Sequence, residues 1–521
     1  MEVSMADKIE QQIEKILDET PGDRHSVIVR MASPDDPTDS LLRLAASAIQ
    51  DRNMTLTARD VLPKSRGDAN PNPAKQSGQV SVRTFVSVES LATKVAASPD
   101  VHSLAMEILK TAGLELLKPL LSSYIVQNAS KDAARLYNIR VTRIVQPFWT
   151  STSALLDLST TDLRELPKAI PQVQDIYPNR ILSVPRLVEA RNLPTNVTEN
   201  QASAWGLSRI GALATWGAYG ARGKGVRVGL LDTGVDNKHP DLKDKVVAWA
   251  EFDSQGRKVS RSKPHDTHKH GTHCAGIIAG GNSSGQWIGV APEAELAVAL
   301  VLDGEKGGTD AQVLAGIDWL VEQKVNVISM SLGGLTLDLE MPSTYTKSIL
   351  TCLTAGIPVV TAIGNEGSET TGSPGNDLFA FSVGATDYMD RAAGFSGGRT
   401  HIVRKSSFIP PEYLPLTYSK PDVSAPGVAI NSSIPGGTWE YFNGTSMATP
   451  HVAGAIALLL SATCIMETVE PAERAFLIQD LITGSVEELG ESGQDHRFGF
   501  GRIEVLRAIS YAIERGYARK A

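Results

Sequence analysis

VGLLDTGVDNKHPDL, residues 228–242, decides how this chain folds. A short apolar run from Val226 leads without a polar break into Asp232, and a Thr-Gly turn follows at once. Such a run, ended by a turn signal, reads as a strand covered on both faces, the usual state of a strand in a parallel sheet. In open sheets of that kind the working side chains stand just beyond the C-terminal ends of the strands. Asp232 has that position.

Working outward, strands and helices alternate from about Gln201. Helices are predicted at 270–279, 311–323, 343–355 and 445–462, and strands at 296–301, 325–331, 359–363 and 379–384. The alternation predicts an α/β fold over 199–521, with a mostly parallel sheet flanked by helices. Asn365 also falls at a strand end.

Two further motifs carry chemistry. His270 stands in HGTHCAG (270–276) and Ser446 in GTSMATPHVAG (444–454). A serine hydroxyl is a weak nucleophile and needs an adjacent base. Asp232, His270 and Ser446 supply an acid, a base and a nucleophile, in one of the three chain orders in which this triad occurs. Ser446 opens a long apolar helix, whose N-terminus leaves unpaired N–H groups and partial positive charge for a developing oxyanion.

With these three motifs the chain resembles the subtilisin-like serine proteases from about Gln201 to about Gly516. The resemblance implies peptide-bond hydrolysis through an acyl-enzyme, with no cofactor required for catalysis. It implies that Asn365, in TAIGNEGS, is the second oxyanion donor beside the Ser446 N–H. It assigns Ser331, Leu332 and Gly333 to an edge that pairs with substrate as an added strand. Ala362 and Gly364 become the facing wall of the pocket for the residue before the cut, and Gly372 its base. An open, apolar slot of that kind predicts a preference for Leu, Phe, Tyr or Met. A structural calcium is also implied, with Gln201 and Asp241 at matching positions, although Ser283 stands where an asparagine ligand is usual.

Other readings of the same residues are weaker. Asp-Thr-Gly occurs in aspartic proteases, but no second Asp-Thr-Gly or Asp-Ser-Gly is present to share the proton. HDTHKHGTHC (265–274) holds four His and a Cys, yet lacks the HExxH spacing of a zinc protease. Cys274, Cys352 and Cys464 form no disulfide framework and read as reduced core residues. Cys274 lies one helical turn past His270, where a thiol reagent would disturb the base.

The N-terminal region has a different pattern. Residues 1–23 form an acidic amphipathic helix, with Met5, Ile9, Ile13, Ile16 and Leu17 on one face. Residues 24–198 are expected to form a smaller α+β domain. Leaving out a helical insertion at about 64–135, its order is strand, helix, two strands, helix, strand, a split βαβ arrangement. This resembles the ferredoxin-like propeptides of the same proteases, which plug the active site with a C-terminal tail, here between Arg180 and Glu199. The partners implied are a protein or peptide substrate, the chain's own N-terminal domain as inhibitor, and an activating partner protein if release does not come from self-cleavage. A catalytically quiet peptide-binding protein is the remaining alternative.

A net charge of −8 speaks against nucleic acid as the main partner. No run of about 18 apolar residues predicts a membrane span. The acidic start lacks the pattern of a secretory signal, so a cytoplasmic protein is expected, with leaderless export as the alternative. Arg399–Lys420 reads as an exposed surface loop.

Overall fold

The structure is a computed structural model that describes residues 5–31, 144–169, 173–184, 202–336, 343–406, 409 and 413–519. The expected helix at 39–53, the insertion at 64–135 and Gln201 lie outside the described residues, as do the residues of the expected tail after Val184.

The N-terminal domain is an antiparallel sheet of β1 (Arg24–Met31), β2 (Ile144–Phe148), β3 (Ser153–Ser159) and β4 (Val173–Pro178), in the order β2-β3-β1-β4. That is the strand order of a split βαβ fold. The Thr160–Ala169 helix connects β3 to β4. The acidic helix, Met5–Glu19, is no separate segment, because its apolar face is buried on this sheet. Ile9, Ile13 and Ile16 join Val27, Leu156 and Ile176 in one core. Each buried isoleucine contributes about 1.5–3 kcal/mol. Gln12 Oε1 accepts from Ile176 N at 3.0 Å, so the helix also satisfies part of the exposed edge of β4.

The second domain carries β5 (Ile181–Leu182) of the connecting tail beside its own strands. In chain order these include β6 (Arg227–Asp232), β7 (Val246–Glu251), β8 (Glu295–Leu300), β9 (Gly308–Thr309), β10 (Val327–Met330), β11 (Gly334–Leu335), β12 (Val359–Ala362), β13 (Gly372–Ser373) and β14 (Phe381–Thr386). They continue with β15 (Arg399–Val403), β16 (Leu416–Lys420) and β17 (Val423–Pro426). Seven strands make the main sheet, ordered β17-β14-β12-β10-β6-β8-β7, and every pair is parallel. The neighbours of β6 run off in sequence to opposite sides, so Asp232 ends a strand at the switch point of the sheet. The Asp310–Glu322 helix starts where Thr309 and Gln312 form a reciprocal capping box.

Thr445–Ala462 is long and apolar enough to cross a bilayer by composition, with a mean hydropathy of 1.3, but 89% of it is buried inside the protein. It is a buried core helix, packed on the sheet beside the His270–Ala279 helix. The expected loop at 399–420 is instead built around a hairpin of β15 and β16. His401 and Val403 on one strand, with Leu416, Tyr418 and Lys420 on the other, alternate inward with a period of two. That alternation is legible in RTHIV and LTYSK once the intervening prolines are set aside.

The two domains share one hydrophobic cluster, in which Phe148, Leu155 and Ile176 meet Val313, Ile317, Tyr345 and Ile349. Polar contacts fix the alignment. Asp318 accepts from Trp149 N at 2.9 Å, Thr150 N at 3.0 Å and Thr150 Oγ1 at 2.5 Å. Asp310 Oδ2 accepts from Arg180 N and Nε, at 2.9 and 3.1 Å.

Candidate active site

Asp232 and His270 are both fully buried, and His270 Nδ1 donates to Asp232 Oδ1 at 2.8 Å. Thr233 N also donates to that oxygen, at 2.7 Å. With Nδ1 carrying the proton, Nε2 is left as the basic nitrogen; it is buried and makes no hydrogen bond among the described residues. Burial alone would lower the imidazole pKa. The Asp232 carboxylate outweighs it and holds His270 well above the ordinary 6.5.

Ser446 is the second residue of its helix, after Gly444 in an extended conformation. Pro450, four residues on, has no N–H to return to the Ser446 carbonyl. That carbonyl is taken up by Ser331 Oγ at 2.9 Å and Cys274 Sγ at 3.5 Å. Two other segments therefore meet at the Ser446 backbone. The Ser446 hydroxyl lies 3.5 Å from the Ser331 carbonyl oxygen, a long contact that leaves it able to turn toward an incoming group.

The Asn365 side of the helix start is equally ordered. Thr445 N and Oγ1 each donate to Asn365 Oδ1 at 2.9 Å, which fixes the amide with Nδ2 on the Ser446 side. A Cβ built on Gly444 would stand 3.2 Å from Asn365 Nδ2 and 3.5 Å from Ser446 N. Two donors thus approach one small space from different chain segments, as stabilising an oxyanion requires.

Residues 331–333, expected as a substrate edge, directly follow β10. Ser331 and Leu332 are buried, and Gly333 is partly exposed beside β11. Ala362 ends β12, and Gly372 N donates to the Ile363 carbonyl at 2.7 Å, linking the two segments expected to line the pocket. Gly364 has φ +118°, a conformation in which a side chain is strained. Sequence reasoning missed a second edge, β9, whose only local signal is the Gly-Gly-Thr before the capping box. The chain's own tail lies between these edges. Ile181 and Leu182 pair antiparallel with Gly308 and Thr309, while Ser183 and Gly333 exchange backbone hydrogen bonds at 3.4 and 3.5 Å.

Of the two residues expected to hold calcium, Gln201 lies outside the described residues and Asp241 is engaged by hydrogen bonds. Asp241 Oδ1 accepts from Ser283 N at 2.6 Å, and Oδ2 accepts from Trp439 Nε1 at 2.7 Å. Both oxygens are therefore turned to protein N–H donors, the arrangement of a carboxylate satisfied by hydrogen bonds. The histidines of 265–274 do not converge as a metal site. His273 Nε2 meets the Ile430 and Glu440 carbonyls, and burial lowers its pKa to about 3. His265 is an exposed loop residue bonded to the Lys263 carbonyl.

Cys274 is buried with Sγ 3.9 Å from His270 Nδ1, and burial raises its pKa. Its sulfur, His270 and an Asp232 oxygen lie within 4.8 Å of one another. Mercuric ion should therefore abolish turnover by binding the thiol beside the base. Inhibition curves for wild type and Cys274→Ser check this; equal sensitivity would overturn it.

Residues 223–501, just over half of the chain, match the model of the subtilase family. The chain belongs to that family. It is a subtilisin-like serine endopeptidase. Over 313 residues it is 36% identical to subtilisin E of Bacillus subtilis, an alignment covering 59% of this chain and 71% of that protein. The same identity and length hold for a subtilisin of Bacillus pumilus, of which 99% is covered. It is 37% identical over 287 residues to an intracellular serine protease of Paenibacillus polymyxa, covering 53% of this chain and 79% of the relative.

Proposed function

We propose that the chain hydrolyses peptide bonds through Asp232, His270 and Ser446 and is made as a zymogen held closed by its N-terminal domain. The observation that carries the first part is the buried 2.8 Å contact of His270 Nδ1 with Asp232, with Ser446 at a helix start beside Asn365. Ser446 Oγ attacks the scissile carbonyl carbon while its proton passes to His270 Nε2. Asp232 stabilises the imidazolium, and the oxyanion takes hydrogen bonds from Ser446 N and Asn365 Nδ2. His270 then gives the proton to the leaving amine, and water repeats the sequence on the acyl-enzyme. Leu, Phe, Tyr or Met is preferred before the cut, in a slot walled by Ala362 and Gly364 with Gly372 at its base. Calcium has no part in this reading, since Asp241 is engaged by Ser283 and Trp439. Action inside the cell is included in it, supported by the likeness to the intracellular protease.

The zymogen part rests on the tail. Ile181–Ser183 fill the strand position between β9 and Gly333 that a substrate would need. Intact mass spectrometry of wild type beside Ser446→Ala tests this. A wild-type chain that begins between residues 180 and 200, with a variant that stays at 55.7 kDa, is the expected result. Two full-length chains would mean release by an outside protease or an activating partner instead.

Asp318 gives a second handle. Replacing it by alanine leaves the Trp149 and Thr150 N–H groups without their acceptor, at a cost of about 1–3 kcal/mol in docking. Fluorophosphonate labelling of Ser446 in full-length Asp318→Ala should be about 10-fold faster or more. Burial pushes the Asp318 carboxyl up to about 7. The docked state therefore holds a proton that a solvated carboxylate releases near 4, so docking is strongest below that value and weakens as pH rises through about 7. Labelling of wild type that slows with rising pH over this range, after correction for the reaction of the exposed site, would contradict that sign.

A further inference from the structure

Asp232 and His270 belong to different elements 38 positions apart, and their contact survives only if the end of β6 and the start of the His270–Ala279 helix keep a fixed spacing. One side chain bridges the two. Asp266 Oδ1 accepts from Thr233 Oγ1 at 2.6 Å, and Thr233 directly follows Asp232. Its other oxygen, Oδ2, accepts from Thr272 N at 2.8 Å and Thr272 Oγ1 at 2.5 Å, two residues past His270. His268 N adds a fourth donor, to Oδ1, at 3.0 Å.

The hydroxyls that Asp266 accepts from are themselves acceptors on the opposite side. Thr233 Oγ1 accepts from Gly271 N at 2.9 Å, and Thr272 Oγ1 accepts from Asp236 N at 2.9 Å. Burial pushes the Asp266 carboxyl up and the donors around it pull it back; as the acceptor from both hydroxyls it sets them as donors toward itself and so sets which way each of these crossed bonds runs. The backbones leave no slack. A Cβ on Gly271 would stand 2.1 Å from the Gly234 carbonyl oxygen, and Gly234 bridges to Asp266 itself.

We propose that Asp266 is a positioning residue for catalysis, holding the strand end that carries Asp232 against the helix that carries His270. It touches neither substrate nor reacting atoms and acts through the geometry of the Asp232–His270 contact. The inference rests on the triad reading above. Without the carboxylate, Thr233 and Thr272 lose their common acceptor and the two elements part or rotate. Errors of about 1 Å in such a contact cost about 10²-fold in rate.

Wild type, Asp266→Asn, Asp266→Ala, Thr233→Val and Ser446→Ala are each made as the full chain, opened by the same added protease where the N-terminal domain is not released by self-cleavage, and compared on a peptide p-nitroanilide with Phe before the scissile bond. Active sites are counted by fluorophosphonate titration, so kcat is read per competent site. The expected result is a fall of about 10²-fold in kcat for Asp266→Ala, with KM changed about twofold or less. Asp266→Asn should fall in between, since its Oδ1 still accepts from Thr233 and His268 while its amide NH₂ meets the Thr272 N–H. The acid limb of kcat/KM should move to lower pH in the same order, as His270 loses part of its hold on Asp232. A merely structural role would lower Tm and the titrated fraction while leaving kcat per site and the acid limb unchanged, and that outcome overturns the inference. If the alanine variant does not fold, the Asn and Val variants carry the same comparison. Wild-type hydrolysis that persists in Ser446→Ala would sink the triad reading first, and this inference with it.

Discussion

Ser446→Ala is expected to lower kcat by about 10⁶-fold, the scale known for the equivalent loss in subtilisin itself. In the proposed mechanism the hydroxyl bonds to the scissile carbon, and the neighbouring Ser331 hydroxyl and Cys274 thiol are poorly suited to replace it. Ser331 Oγ is committed to the Ser446 carbonyl at 2.9 Å, and Cys274 is buried with its thiol pKa raised. What survives is the binding of substrate and the two oxyanion donors, which together retain about 10³–10⁴-fold over water in such enzymes. Fluorophosphonate labelling should vanish in the variant while its Tm stays close to wild type, because one oxygen making only a 3.5 Å contact is lost. Residual turnover above about one per cent of wild type would show that another nucleophile does the work.

Asn365 is expected to have the second largest effect, and its replacement must separate two jobs. Nδ2 lies on the Ser446 side, where the proposed oxyanion would form, while Oδ1 accepts from Thr445 N and Oγ1 and so steadies the start of the serine helix. Asn365→Ala removes both. Asn365→Asp keeps the acceptor and replaces the donor by a carboxylate oxygen, which repels a developing negative charge. Both variants should lose about 10²–10³-fold in kcat, the range known for this donor in subtilisin, with KM little altered because the ground-state carbonyl depends less on it. Asn365→Asp should keep the Tm of wild type more closely than Asn365→Ala does. Equal kcat for wild type and the aspartate variant would remove Asn365 from the oxyanion site.

Much of the site was legible early because its parts are local. Asp232 ends a strand, and His270 and Ser446 begin helices whose predicted bounds, 270–279 and 445–462, are those in the structure. Apolar periodicity and a turn or helix start are properties of neighbouring residues, so the sequence carries them openly. The hairpin at 399–420 reads as a loop although its period-two pattern is equally local, because each alternating run is only five residues long. Asp318 and Asp241 were illegible for a different reason. Asp318 meets Thr150 across 168 positions and Asp241 meets Trp439 across 198, and nothing near either residue announces such a partner.

The sequence by itself pointed to a candidate acid, base and nucleophile, Asp232, His270 and Ser446, on a parallel α/β sheet, in a chain of the subtilase family. Only the tertiary structure decided how those groups are held and what lies against them. It put Asp266 between Thr233 and Thr272, gave the Ser446 carbonyl to Ser331 and Cys274, and laid Ile181–Ser183 between two edges of the second domain. The physical reason is the range of the forces involved. Side-chain identity and local period set what a segment is, whereas hydrogen-bond partners and strand register are chosen by packing among segments far apart in the chain.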